Sequence, residues 1–330
     1  DKTLRLWDLA SGAARSIAVD ETVSSARFAP DGRRFVASFG WIGNSNDSAL
    51  RLYDTESVTE LRRFTGHGGT VMSAAFSADG RRIVSAGGGT ALQMMRNETP
   101  DNRVLVWDAE SGELLHELPG HGGRGSLVGR ANAALFLNDD EIISVSADQS
   151  VMAWHVASGK GRALNSGYRH IDNLLPESAA HPGKLLGIGN WAHGSEESPG
   201  FLRWDLVRGQ LDDLADTPTL PAPGRRPLLD AIVGRDGQVV HVSTRESLAL
   251  DHTLVLGDSR PGAAGLPAEI ALPEEVKLSL QLTARLAAAG DLLVLADEKH
   301  HLYRWNRRGD KGFEPLASDF LARIDVIEPS

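Results

Sequence analysis

One phrase recurs in this chain with a fixed internal spacing: an aspartate, followed six residues later by a Trp or Tyr that ends an apolar strand. Asp1 to Trp7, Asp47 to Tyr53, Asp101 to Trp107 and Asp148 to Trp154 all obey it. Behind several of these aromatics stands a turn of one kind, Asp-Leu-Ala-Ser-Gly (Asp8 to Gly12), Asp-Ala-Glu-Ser-Gly (Asp108 to Gly112) or His-Val-Ala-Ser-Gly (His155 to Gly159). Self-similarity at roughly 40 to 50 residues marks a repeat architecture, in which each unit buries its apolar face only against its neighbours. Trp204 and Trp305 close similar strands, and Leu254 to Leu256 runs into Gly257-Asp258 without an aromatic, so seven copies can be followed, the last three degraded.

Between copies the chain reads as short strands bounded by turn residues. Val23 to Phe28 leads through Pro30-Asp31-Gly32 to Arg34 to Ser38, and Val71 to Phe76 leads through Ala78-Asp79-Gly80 to Arg82 to Ser85. Asp-Gly between apolar stretches predicts a hairpin with both turn residues at positive φ. Each unit is therefore four antiparallel strands, a to d. A lone four-stranded sheet leaves both faces and both edges exposed, and radial packing of such sheets solves this. The predicted fold is all-β, a seven-bladed β-propeller formed by residues 1–330 as a single domain.

The residues resemble the WD40 family of propellers. Gly66-His67, Ser85, Asp101 and Trp107 carry the match in one unit, and Gly120-His121, Ser144, Asp148 and Trp154 in the next. The resemblance implies that each set forms a buried hydrogen-bonded chain. The chemistry agrees: indole NH only donates, carboxylate only accepts, and hydroxyl and imidazole do both. Both sets are read as structural. In the first full unit Tyr53 replaces Trp and Val19-Asp20 stands where Gly-His is expected, while Ser38 and Asp47 remain; Ser198 and Lys299 take the aspartate position in the fifth and seventh units.

No apolar run approaches the ~18 residues a membrane-spanning helix needs. Cysteine is absent, so disulfides contribute nothing. Only six of the 34 basic residues are lysine, which points to a bacterial, GC-rich source, and the expected location is cytoplasmic. A net charge of −10 argues against a general nucleic-acid surface. Asp1 already occupies the turn before a strand c, so the first blade starts at its third strand, and the chain reads as an excerpt of a larger protein with an upstream domain. Phe320 to Glu328 is predicted as an additional strand that closes a composite blade against Leu4 to Trp7.

Turn lengths separate the two ends of the blades. The a to b and c to d turns are tight, whereas the b to c and d to a connections swell, as in Gly40 to Asp47, Gly87 to Asn102, Gly122 to Asn132, Asn190 to Gly200, Ala215 to Pro227 and Arg245 to His252. Strand alternation sends all of these long connections out of one end of every sheet. Long loops on a rigid scaffold carry function. Trp41, Trp191, Met94, Met95, Arg96, Arg124, Arg130, His193, Arg225 and Arg226 lie there, and aromatic, Met and Arg side chains are the types enriched at interface centres. They are the predicted partner-binding residues.

Sharper chemistries fit less well. Gly120 to Gly125 has the three spaced glycines of a dinucleotide loop, but a strand rather than a helix follows it. His193, His252, His300 and His301 recur near the long-loop end, yet adjacent His300 and His301 point to opposite sides of a strand, and no acidic partner has ligand spacing. Glu196-Glu197 reads as a solvated pair, and no catalytic or nucleotide-binding motif appears. No cofactor or metal is expected. The sequence thus predicts a non-enzymatic protein- or peptide-binding module, a sensor or docking part that regulates the upstream domain. The alternatives are a metal-dependent propeller enzyme with its site at the axial mouth, and a permanent scaffold within an assembly.

Overall fold

The structure, a computed structural model, describes residues 2–8, 11, 13–40, 49–88, 101–119, 121, 129–146, 148–164, 173–176, 184–189, 200–206, 208, 210–211, 228–233, 239–244, 254–258, 285–289, 292–296, 302–306 and 314–317. These residues are all-β, with antiparallel sheets in which the strands follow one another in chain order and, in place of α-helix, short 3-10 geometry such as the turn at Val156–Ser158. The chain divides into two compact units, Asp1–Leu174 and Leu175–Pro329.

The first unit opens with a two-stranded sheet of β1 (Thr3–Trp7) and β2 (Ala14–Ala18). Three four-stranded sheets follow. They are β3 (Val23–Phe28), β4 (Arg34–Phe39), β5 (Leu50–Asp54) and β6 (Glu60–Phe64); then β7 (Thr70–Phe76), β8 (Arg82–Gly88), β9 (Val104–Asp108) and β10 (Leu114–Leu118); then β11 (Ala131–Phe136), β12 (Glu141–Ser146), β13 (Val151–His155) and β14 (Gly161–Leu164). In the second unit β15 (Asn173–Pro176), β16 (Lys184–Gly189), β17 (Gly200–Asp205) and β18 (Gln210–Leu211) form one sheet, with the division between units inside β15. A three-stranded sheet of β19 (Leu228–Val233), β20 (Val239–Thr244) and β21 (Leu254–Asp258) comes next. The last is four-stranded, β22 (Arg285–Ala289), β23 (Leu292–Ala296), β24 (Leu302–Asn306) and β25 (Glu314–Ala317). Trp204 on β17 is fully buried opposite Leu185 on β16, as the recurrent aromatic should be. The additional strand expected at Phe320 to Glu328 lies outside the described residues.

Strands in the middle of a first-unit sheet read as continuous apolar runs because both faces are covered. On β9, Leu105 and Trp107 join Leu50, Leu52 and Phe64 of the preceding sheet, while Val104 and Val106 join Ala131, Ile142 and Trp154 of the following one. Period-2 alternation therefore sorts β9 between two cores rather than between core and water. First strands of neighbouring sheets pack together, β3 on β7 and β7 on β11. The fourth strands β6, β10 and β14 lie outermost, largely exposed and buried only at their last residue.

The Asp-Gly turns differ from expectation in type. Gly32 and Gly80 have φ of 67° and 69°, but Asp31 and Asp79 are not at positive φ. Gly32 N–H donates to Ala29 C=O at 2.9 Å, and Gly80 N–H to Ser77 C=O at 2.9 Å. Each is a type I turn followed by a left-handed glycine, so only one residue needs the special backbone. The aspartates serve instead as acceptors, Asp31 for Arg33 N–H at 2.8 Å and Asp79 for Arg81 N–H at 3.0 Å.

Arginines clasp neighbouring sheets at this tight-turn end. Arg34, at the start of β4, donates to Gly80 C=O in the next sheet at 3.2 Å, and Arg82, at the start of β8, reaches Asp139 of the next at 3.2 Å. Arg62 on β6 donates to Ser111 C=O at 2.9 Å, and Arg15 on β2 to Glu56 C=O. Tight turns meet tight turns, so the first-unit sheets are stacked the same way up.

Candidate functional site

A buried polar cluster lies inside the sheet β7–β10. Trp107 Nε1–H donates to Ser85 Oγ at 2.8 Å, Ser85 Oγ lies 2.8 Å from His67 Nε2, and His67 Nδ1 lies 2.9 Å from Asp101 Oδ2. With the carboxylate as acceptor, Nδ1 carries the proton and Nε2 accepts the Ser85 hydroxyl, so the chain runs from indole to carboxylate with every group satisfied. Gly68 N–H adds a bond to Asp101 Oδ2 at 2.7 Å and Arg103 Nε one to Oδ1 at 2.8 Å. Burial opposes ionisation of Asp101, but these bonds from His67 and Arg103 outweigh it and hold the carboxyl below the usual carboxylate range. The chain ties the start of β7 to β8 and to the entry of β9.

The next sheet repeats the first half of this arrangement. Trp154 Nε1–H donates to Ser144 Oγ at 2.8 Å, and Ser144 Oγ lies 2.8 Å from His121 Nε2. The second half differs from the sequence expectation, because Asp148 Oδ1 stands 3.8 Å from His121 Nδ1 and Ser150 fills the gap, bonded to both. A hydroxyl relay transmits less Coulombic support than a carboxylate in contact. Burial consequently dominates and pushes His121 down to about 4, with Asp148 opposing it.

In the sheet β3–β6 the hub is a residue the sequence reading passed over. Arg51, on β5 between Leu50 and Leu52, is only 3% exposed. Its Nη2 lies 2.5 Å from Asp20 Oδ1, it hydrogen-bonds the Tyr53 hydroxyl, and its guanidinium sits 4.2 Å from the centre of the Phe39 ring. Asp20 occupies the position of histidine, and the base it meets comes from within β5, where the next sheet has Leu105. Ser38 bonds back to Ser25 C=O at 3.5 Å instead of joining this cluster, and Asp47 lies outside the described residues. The signal was a charged residue in an otherwise apolar strand, coupled to an aspartate where an imidazole belongs.

Ser85, His67 and Asp101 stand in the order hydroxyl, imidazole, carboxylate, which is the order of a hydrolytic triad. Two facts deny them that chemistry. Ser85 and Ser144 are fully buried, and each hydroxyl already receives an indole N–H. No acyl substrate reaches either oxygen, so the clusters hold strand ends together. Among the described residues no group of three or more His, Asp or Glu side chains gathers as metal ligands would.

The long connections of the first unit all depart from the opposite end to the arginine clasps. Segments 41–48, 89–100 and 122–128 are anchored at Gly40 and Ala49, Gly88 and Asp101, and His121 and Gly129. At this end the first strands of the three four-stranded sheets of the first unit carry the same irregularity, one extra residue opposite the last residues of the second strand: Ser24, Met72 and Asn132. Bulges re-aim side chains and cluster beside functional sites. Arg130 lies here as well, its Nε donating to Asn132 Oδ1 at 2.9 Å. Its stem crosses bare backbone at Gly88, where a Cβ would fall 2.6 Å from Arg130 Cγ and 3.2 Å from Met72 Cγ. Trp41, Met94, Met95, Arg96, Arg124, Trp191, His193, Arg225 and Arg226 lie outside the described residues, as do His252, His300 and His301.

Residues 58–108 match the family model described as WD domain, G-beta repeat. This stretch spans β6 together with β7, β8 and β9, so one repeat supplies the outer strand of one sheet and three strands of the next. Repeats of this family generally mediate protein–protein interaction. No curated protein matches the chain.

Proposed function

We propose that the chain is a non-enzymatic recognition module that binds a protein or peptide across the loop-bearing end of its sheets. In this reading residues 1–330 form one seven-bladed propeller. Trp41, Met94, Met95, Arg96, Arg124, Arg130, Trp191, His193, Arg225 and Arg226 supply the contacts, and Met72 and Asn132 join them. The module serves as the sensor or docking part of a larger cytoplasmic bacterial protein. The observation that carries the proposal is the polarity of the first-unit sheets. The tight-turn end is consumed by arginine clasps between neighbours, while at the other end Arg130, Met72 and Asn132 stand half-buried beside the long connections. Met and Arg beside one another give an adaptable apolar surface next to a directional cation.

The test is affinity capture with the native chain and two variants, Met72→Ala with Arg130→Glu, and Trp191→Ala with Arg226→Glu. Loss of the captured protein in both variants, at an unchanged melting temperature, supports the assigned end. Capture that survives both variants removes it.

A further inference from the structure

Among the described residues the large hydrophobic side chains that stand exposed are Leu61, Leu114 and Leu115, at 50%, 40% and 38%. All three lie on outermost strands of two adjacent sheets, β6 and β10. Isolated exposed leucines are ordinary, but their confinement to one place is not. Leu61 and Leu115 occupy the same position in the two strands, each the extra residue where the register with the neighbouring strand shifts. An edge bulge blocks strand addition, so any partner must meet side chains rather than extend the sheet. The two strands are linked through Arg62, whose 2.9 Å bond to Ser111 C=O reaches the turn that leads into β10.

Charge is divided across the patch. The β6 side presents exposed Arg62 and Arg63 with Glu60, and the β10 side presents exposed Glu110, Glu113 and Glu117. Arg63 is tied to Glu60 at 3.2 Å and Glu117 to Arg103 at 3.2 Å. A surface with leucines at its centre, cations to one side and carboxylates to the other is complementary to itself under a two-fold rotation. The geometry points to a second copy of this chain as the occupant, docked isologously so that leucines meet leucines and each β6 edge faces the partner's β10 edge. This rim is separate from the loop-bearing end, so self-association would leave that end open for another protein.

Sedimentation equilibrium of the 330-residue chain over a range of concentrations tests this. The native chain is expected to dimerise, and Leu61→Asp with Leu115→Asp is expected to raise the dissociation constant by at least about ten-fold. Leu61→Gln with Leu115→Gln, a milder change at exposed positions, should do so with an unaltered thermal unfolding curve. Arg63→Glu and Glu113→Arg should each weaken the dimer, and the two together should restore it, since each reversed charge then faces the other across the axis. A native chain that stays monomeric at every concentration overturns the inference, as does a dimer indifferent to the leucine changes or one that the paired reversal fails to rescue.

Discussion

Gly87 and His67 are so close that a Cβ built on the glycine would fall 2.6 Å from the imidazole Nδ1 and 2.9 Å from Cε1. The glycine is thus required by space, since any side chain on β8 at that point displaces the ring from Asp101 and Ser85. Gly87→Ala is expected to destabilise the first unit by about 1–3 kcal/mol, the usual range for overpacking a well-packed interior. Chemical denaturation of the two proteins measures it, and a loss under about 1 kcal/mol would show that the ring can shift without cost.

Ser85 and Ser144 each join an indole to an imidazole. Removing either hydroxyl strands a buried donor and a buried ring nitrogen, so Ser85→Ala and Ser144→Ala should each cost about 2–4 kcal/mol, on the basis of roughly 1–3 kcal/mol for each group left unsatisfied. The same seal predicts that a fluorophosphonate probe does not label the native protein at either serine. Labelling of Ser85 would restore the hydrolase reading of the triad-like order.

The fold was legible in the sequence to the extent that it depends on local chemistry. Turn residues such as Asp79-Gly80 and Asp108 to Gly112, and the aromatic six residues after each aspartate, act within a few positions of themselves, and they placed the strands. What escaped depends on partners brought together by stacking. Arg51 finds Asp20 across 31 positions, and Arg34 finds Gly80 across 46. Neither pairing follows from spacing, because the meeting point is set by how one sheet lies on the next. Ser150 was missed for a subtler reason: it sits two residues after Asp148 and took over a contact that the repeat assigns to the aspartate. The loop residues chosen for partner binding, Arg130 apart, rest on the sequence alone.

The two imidazole clusters should respond differently to acid. His121 titrates at 6.5 in the unfolded chain and about 4 in the fold. Above pH 6.5 both states are neutral there and the group contributes no pH dependence. As pH falls from 6.5 to 4 the unfolded chain gains a proton that the fold refuses, so stability is lost across that window, by about 3 kcal/mol at 1.36 kcal/mol per pH unit. Asp101, whose folded value is depressed below 3.8, stays ionised through the window and loses its contribution only below pH 3.8. Denaturation midpoints at pH 7, 5.5 and 4 should fall for the native chain and fall less for His121→Gln. Parallel decline in both proteins would assign the effect to other groups.

Val58 holds the left-handed position of its turn, φ 55°, that Gly112 (78°) and Gly159 (64°) hold in the two following sheets. A β-branched residue is costly in that conformation, about 1–3 kcal/mol. The side chain is nevertheless retained, because it is buried with Phe35, Tyr53 and Leu4 between the first two sheets, and burial of a valine contributes about 1.5–2 kcal/mol. The two effects oppose each other, which gives an unusual order of substitutions. Val58→Gly loses the burial and relieves the strain, so it should change stability by less than about 1 kcal/mol. Val58→Ala loses most of the burial and keeps much of the strain, so it should be the more damaging, by about 1 kcal/mol relative to glycine. In the reverse direction, Gly112→Val gains strain with no cavity to fill, since a Cβ there meets Arg62 Cδ at 2.7 Å and disturbs the clasp to Ser111. Melting temperatures of the three variants decide it: alanine above glycine at position 58 would mean that the turn tolerates the left-handed backbone without penalty, and that Val58 is held by packing alone.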